Sequence, residues 1–263
     1  MIIDFHTHAF PDKLAAKAIE KLSFGPYVAH TDGTVGELRA KMKKSGIDRF
    51  VVCNIATNPK QMKNVNDFAI ASKETEELIP LGSVHPMAEN ISEELARIKA
   101  AGLPGIKLHP DYMGFDIDDP VYDKIFDECS SLGLFVITHA GFDIYSPDHI
   151  HVTPDMILSI LDRHPSLTLI AAHFGSNRMW DEVEEKLCGK NLYIDTSIAS
   201  LEKMDPAQAK RIIEKHGDDR ILFASDMPWC PVDENLRYIM ELGLPAESLD
   251  KILSGNALRL LGM

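Results

Sequence analysis

The chain alternates between short apolar runs and longer segments whose apolar residues recur with helical spacing. Most of the short runs are continuously apolar, which is typical of strands buried on both faces of a parallel sheet. The pattern therefore predicts eight strands separated by helices. The predicted strands are Ile2 to Phe5, Phe50 to Ile55, Leu78 to Val84, Gly105 to Leu108, Leu134 to Thr138, Leu167 to Ala172, Leu192 to Ser197 and Ile221 to Ser225.

Several of the predicted helices carry recognisable start and stop signals. Asp119-Pro120, Thr153-Pro154 and Asp205-Pro206 each combine a capping side chain with a proline suited to the first helical turn. Gly133 and Gly217 stand where helices commonly end in a left-handed residue. These signals place helices between the strands and support the alternating pattern.

Eight alternating strand–helix pairs in 263 residues predict an α/β protein with a distorted (β/α)8 TIM-barrel fold. A doubly wound open sheet is the alternative, but it normally has a glycine-rich turn after its first strand. The segment DFHTHAFPD contains no glycine at that place. No linker or repeat divides the chain, so we predict a single domain over residues 1–263.

Composition and charge exclude several classes of partner. Hydrophobic residues make up 45% of the chain and charged residues 25%, as in ordinary globular proteins. The net charge of −13 disfavours nucleic acids and anionic membranes, which require a basic face. No apolar stretch has the length of a membrane span, and the N-terminus lacks the features of a signal peptide. The four scattered cysteines predict no disulfide framework. We expect a cytoplasmic protein that binds a small molecule.

The histidines are concentrated where the predicted strands end. In a barrel of parallel strands, the C-terminal ends of the strands carry the chemistry. His6 and His8 lie two residues apart, so both imidazoles point to the same face of the first strand. Together with His139, His173 and Asp226 at the ends of the fifth, sixth and eighth strands, they suggest a site for zinc or a similar metal at this end. The histidines in these positions are His6, His8, His85, His109, His139 and His173.

The segments DFHTHAF, GIKLHP, FVITHAG, LIAAHFG and FASDMPW, with the closing SGNALRLLG, resemble the amidohydrolase superfamily. Within it, the chain is similar to the amidohydrolase-related group that includes aminocarboxymuconate-semialdehyde decarboxylase and related metal-dependent hydrolases. The resemblance spans essentially the whole chain. It implies a distorted barrel that holds one or two divalent metals at its C-terminal end.

The resemblance also implies roles for individual residues. His6 and His8 match the ligand pair of the family's first strand, and His139 matches the ligand of the fifth. Asp226 matches an aspartate that binds the metal and transfers a proton. His173 matches a histidine that ligates a second metal in some members and activates water or polarises substrate in others.

The remaining candidates concern the substrate. Lys107 matches either a metal-bridging lysine of binuclear relatives or, as we prefer, a buried charge beside a single metal. His109 shares a strand face with Lys107 and is a candidate substrate contact. Arg178 and Trp229, in the segments GSNRMW and DMPW, are candidates for binding a carboxylate and an apolar substrate body.

These assignments predict a metal-dependent hydrolase that acts on a small amide, lactone or ester. The expected cofactor is one Zn²⁺, with Mn²⁺ or a second metal as alternatives. The metal would lower the pKa of bound water from ~16 to about 7, and Asp226 would take up and return its proton. The alternatives are non-oxidative decarboxylation of a small unsaturated or aromatic carboxylic acid and a barrel that binds metal or ligand without catalysis. Relatives often form dimers, so a homodimer is possible.

Overall fold

The computed structural model describes all 263 residues and contains the eight predicted strands. They are β1 (Ile3–Thr7), β2 (Arg49–Cys53), β3 (Leu78–Leu81), β4 (Gly105–Leu108), β5 (Phe135–Thr138), β6 (Leu169–Ala171), β7 (Tyr193–Asp195) and β8 (Ile221–Leu222). Strand residues are buried almost throughout, in agreement with the continuous apolar pattern.

Twelve helices connect and flank the strands. They are α1 (Asp12–Leu22), α2 (Val35–Lys44), α3 (Met62–Ser72), α4 (Ile91–Ala100), α5 (Pro110–Met113), α6 (Asp123–Leu132), α7 (Pro154–Arg163), α8 (Trp180–Glu182), α9 (Pro206–His216), α10 (Val232–Met240), α11 (Ala246–Asp250) and α12 (Asn256–Leu261). Short 3-10 turns precede α3, α6 and β8, and π-helical turns follow α8 and α11. None of the helices is long and apolar enough to cross a membrane.

The predicted helix signals are confirmed with one exception. Thr153 accepts a hydrogen bond from the amide of Met156 at the start of α7, and Asp205 accepts one from Ala207 at the start of α9. Gly133 ends α6 in the left-handed conformation. Gly217 was expected to do the same after α9, but its ψ of 125° leads the chain directly into an extended path. The left-handed conformation predicted for Gly217 was therefore wrong, although its φ of 98° is positive.

Two compact units can be distinguished, each built from separate parts of the sequence. The first unit comprises Met1–Cys53, Thr75–Ile79 and Asp195–Met263, and the second comprises Asn54–Glu74 and Pro80–Ile194. β3 and β7 contribute residues to both. The single domain that the sequence predicts over residues 1–263 stays a prediction.

Parallel pairing dominates each unit. In the first, β1 pairs with β2, and Phe5 donates its amide to the carbonyl of Phe223 beyond β8. In the second, β4, β5, β6 and β7 pair in order, and Gly82 bridges to Ile106 of β4. Because neighbouring strands are parallel, their C-terminal ends lie at the same edge, where the predicted site residues stand.

Candidate metal centre

The first unit brings three predicted ligands together at the ends of β1 and β8. His6 lies within β1, His8 follows it, and Asp226 lies four residues beyond β8. Oδ1 of Asp226 is 3.1 Å from Nε2 of His8 and 3.5 Å from Nε2 of His6. All three side chains are buried. One carboxylate oxygen and two imidazole nitrogens thus converge, which is a donor set suited to zinc and similar divalent metals.

The outer nitrogen of each imidazole is held by an acceptor. Nδ1 of His8 lies 2.9 Å from the carbonyl oxygen of Cys53, and Nδ1 of His6 lies 2.8 Å from Oδ2 of Asp195. A carbonyl or carboxylate oxygen can only accept, so each Nδ1 carries the proton. In the neutral form of each ring, Nε2 then presents its lone pair toward Asp226, as in metal-binding histidines.

Oδ1 of Asp226 is buried and accepts no hydrogen bond. Leaving a buried carboxylate oxygen without a donor costs free energy, about 1–3 kcal/mol for a typical polar group and more for a charged one. A cation between Asp226 and the two Nε2 atoms would remove this cost. The residues present therefore fit a divalent metal.

The backbone at Asp226 is held in an uncommon conformation. Its φ is +74°, which only a few per cent of non-glycine residues adopt, aspartate and asparagine more often than most. The amide of Asp226 donates to the carbonyl of His6 at 2.8 Å, and its carbonyl accepts from Trp229 at 2.9 Å. These bonds tie the carboxylate to the strand that carries the two histidines.

Asp195 was not predicted from the sequence. It is fully buried at the end of β7, and its Oδ1 also accepts hydrogen bonds from the amide and hydroxyl of Ser197. A carboxylate inside a predicted buried strand, as in LYIDTS, is a signal that could have identified it.

Asp4 has a structural role next to the candidate ligands His6 and Asp226. It accepts hydrogen bonds from the backbone amides of His6 and Ser225 and from the Ser225 hydroxyl. Burial raises the pKa of Asp4 to about 7, against the opposing effect of these hydrogen bonds. The carboxyl thereby joins the strand of the histidine pair to the segment that carries Asp226.

Apart from Trp229, the other predicted site residues lie in the second unit. His139 follows β5, and its Nδ1 is 3.0 Å from Nε2 of His173 after β6. His109 follows β4, and its ring stacks on that of His139 with centroids 4.3 Å apart. Lys107 is buried within β4. A shared ion for His139 and the first-strand pair stays a prediction, as do the roles of His173, His109 and Lys107.

The structure places the remaining two substrate candidates nearer the surface. Arg178 is exposed, and its guanidinium carbon lies 4.2 Å above the ring of Phe142. Trp229 is half-buried three residues after Asp226. Their contacts with a substrate likewise stay predictions. His85, another strand-end histidine, accepts a hydrogen bond from the amide of Met87, and burial lowers its pKa.

Comparisons with known proteins identify the family and the fold of the chain. The family model described as "Amidohydrolase" matches residues 3–263. A 2-amino-3-carboxymuconate-6-semialdehyde decarboxylase from Dictyostelium discoideum is 40% identical over 73 residues, which are 27% of this chain. That match covers only 20% of the relative's length.

Two solved structures are similar along the whole chain. An uncharacterised TIM-barrel protein from Bordetella bronchiseptica superposes with a TM-score of 0.73 at 23% identity, covering 99% of this chain and 98% of that one. A 5-carboxyvanillate decarboxylase from Sphingomonas paucimobilis gives 0.74 at 16% identity, covering 100% and 99%. The (β/α)8-barrel fold predicted from the sequence is confirmed. With the family model matched from the third residue to the last, the chain belongs to the amidohydrolase family of enzymes.

Proposed function

We propose that the protein is a metal-dependent hydrolase of a small amide, lactone or ester, with a divalent metal bound by His6, His8 and Asp226. The observation that carries the proposal is the buried Oδ1 of Asp226, which accepts no hydrogen bond although two imidazole nitrogens face it. Zn²⁺ is the expected metal, since two imidazoles and a carboxylate are a common zinc ligand set.

When bound, such a metal supplies Lewis-acid chemistry, acidifying water and polarising a carbonyl group. The protein's own residues prepare the site for it. Asp195 and the carbonyl of Cys53 fix the proton on Nδ1 of His6 and His8, so that Nε2 of each remains an acceptor. Deep burial of these groups strengthens their electrostatic interactions.

Asp226 is the group we assign to proton transfer. With Oδ1 assigned to the metal, the other oxygen of the carboxylate is the one that would take a proton from the attacking water. The same carboxyl can then deliver that proton to the departing amine or alcohol, as a general acid. The hydrogen bond between its amide and His6 keeps the carboxylate in place during both steps.

An Asp226→Asn variant tests this assignment. We expect hydrolysis of the best substrate from a panel of small lactones, N-acyl amides and p-nitrophenyl esters to fall about 10²–10⁴-fold, as for loss of a general acid–base group. Asp233→Asn, an exposed carboxylate paired with Lys41, is the matched control and should retain full activity. An unchanged rate in Asp226→Asn would show that the proton is handled elsewhere.

Non-oxidative decarboxylation is the second candidate, because the Dictyostelium relative and the Sphingomonas structure are both named as decarboxylases. Its substrate would be a small unsaturated or aromatic carboxylic acid. Arg178 is the predicted cation for the substrate carboxylate, but it is exposed and stacked on Phe142. Measuring carbon dioxide release from aromatic acids in parallel with the hydrolysis panel separates the two candidates.

A further inference from the structure

A second group of ligand-type side chains lies on the loop after β5 and on the segment between α5 and α6, both within the second unit. Oδ1 of Asp116 is 2.6 Å from Nε2 of His149 and 2.9 Å from Nδ1 of His151. The two imidazole rings meet edge to face, with their centroids 4.4 Å apart. One carboxylate oxygen and two imidazole nitrogens therefore converge outside the centre described above.

Two imidazoles share a single carboxylate oxygen in this group. Since that oxygen can only accept hydrogen bonds, the imidazole nitrogens that face it are the donors. One carboxylate balances the charge of only one protonated ring, so as an ion pair the group has one imidazole more than it needs. His164 shows the opposite arrangement, because its single ring lies 2.8 Å from Asp127 and 3.0 Å from Asp123. Two imidazoles and one acid match the ligand set of a transition metal.

The backbone already holds the two segments together. Gly141 donates its amide to the carbonyl of Val152 at 2.9 Å, which closes the loop after β5 at its base. The carbonyl of His151 accepts from the amide of Ile117 at 2.9 Å, which ties the loop to the segment that carries Asp116. Ile117 and Val152 are fully buried. Ligands that are positioned in advance lose less conformational freedom when an ion binds.

The three side chains are open to solvent, so an ion can reach them. The exposed fraction of the side chain is 56% for His149, 37% for Asp116 and 16% for His151. Zinc lies about 2.0–2.2 Å from nitrogen and oxygen ligands, so ligand atoms placed tetrahedrally around it are roughly 3.3 Å apart. Nε2 of His149 would therefore move less than about 1 Å away from Asp116, which an exposed side chain can do.

We propose that Asp116, His149 and His151, called the loop site below, bind a divalent transition-metal ion such as Zn²⁺, which fastens the loop after β5 to the segment after α5. Two imidazoles and one carboxylate suit such ions, whereas Mg²⁺ and Ca²⁺ prefer oxygen ligands alone. None of the residues predicted to bind metal at the strand ends takes part, so the ligand set predicted there, including His139, is unchanged. The loop site does not depend on the reaction proposed above.

The loop that the ion would fasten contacts a candidate substrate residue. Oδ2 of Asp143 lies 3.5 Å from Nε2 of His109. The ring of Tyr145 meets that of Tyr112 edge to face, with centroids 5.0 Å apart. Because an ion at the loop site holds the far end of the same loop, it should keep these contacts formed and make opening of the loop rarer.

Calorimetric titration tests binding at the loop site. Protein loaded with Zn²⁺ at the strand-end centre and freed of unbound metal is titrated with Zn²⁺, and the wild type should bind about one further equivalent. Mg²⁺ should not bind there. His149→Ala and Asp116→Asn should each weaken the binding of Zn²⁺ by at least about tenfold, since even the partners of metal ligands matter 10- to 100-fold.

Two further variants make this result specific. Asp148→Asn removes an exposed carboxylate from the same loop and should bind Zn²⁺ as the wild type does. The further equivalent should persist in Asp226→Asn, which separates failure of the loop site from failure of the strand-end centre. A wild type that binds no further Zn²⁺, or equal affinities in Asp116→Asn and Asp148→Asn, would overturn the loop site.

Limited proteolysis tests whether the ion fastens the loop. Tyr145 is 54% exposed, so chymotrypsin can cut after it when the loop opens. At a Zn²⁺ concentration ten times the Kd, the open population and the cleavage rate should fall about tenfold, because Zn²⁺ binds the closed loop. His149→Ala should be cut equally fast with and without Zn²⁺, which also controls for an effect of Zn²⁺ on the protease. A wild-type cleavage rate that Zn²⁺ does not change would refute the fastening.

Discussion

Asp195 illustrates how a single residue outside the proposed ligand set can orient a candidate metal ligand. Its carboxylate accepts the Nδ1 proton of His6 at 2.8 Å and is itself held by Ser197. Removing the acceptor would let the ring rotate or change tautomer, and either change takes Nε2 away from the metal. Carboxylates that orient metal-binding histidines typically matter 10- to 100-fold for affinity or activity.

We therefore predict that Asp195→Asn weakens Zn²⁺ binding at the first site by about 10–100-fold. The replacement amide has nearly the same shape but can present an NH₂ group to Nδ1, which favours the wrong tautomer. Competition with a chelating dye measures the affinity. Asp205→Asn, which replaces a capping carboxylate at the start of α9, should leave it unchanged. Equal affinities in wild type and Asp195→Asn would mean that His6 needs no orienting partner.

At the scale of single elements, the loop after β5 requires glycine at position 141. Gly141 has a φ of +86°, and its amide donates to the carbonyl of Val152. Asn177, in the loop after β6, donates its amide to Ala140 and accepts from Phe142. A Cβ at Gly141 would overlap the backbone amide nitrogen and carbonyl oxygen of Asn177, so only glycine permits this approach of two loops.

Gly141→Ala should lower the free energy of unfolding by more than about 3 kcal/mol, because a steric clash with backbone is added to the unfavourable φ. Gly114, at the end of α5, provides the matched control with a φ of +80° and no atom near the position that a Cβ would occupy. Gly114→Ala should cost only about 1 kcal/mol. Urea unfolding followed by circular dichroism measures the free energy of unfolding of both variants. Equal losses of stability in the two would show that the Asn177 contact is not decisive.

At the scale of the whole molecule, a bound metal should contribute directly to stability. A ligand that binds only the folded chain adds about 2.7 kcal/mol when its concentration is a hundred times its Kd. We predict that chelation lowers Tm by about 5–10 °C and that added Zn²⁺ restores it. The Asp226→Asn variant should show a smaller shift. A wild-type Tm that does not respond to chelator would contradict metal binding to the folded protein.

The sequence predicted the order of the strands and their approximate positions because these follow from local pattern. β4 was predicted over the same residues, Gly105 to Leu108, that the structure contains. β8 was predicted as far as Ser225 but ends at Leu222. Beyond it, the amides of Ala224 and Ser225 donate to the side chains of Thr196 and Asp4 instead of a strand. Such acceptors come from distant parts of the chain, and no local pattern identifies them.

For the candidate site, the sequence by itself determined which residue types stand at the strand ends. The spacing of His6 and His8 fixed their common face, since side chains alternate along a strand. Tertiary structure decided their partners, because the distances to Asp195, Cys53 and Asp226 depend on how distant segments pack. It likewise placed His139 beside His109 and Asp111, a grouping that separation along the chain does not reveal.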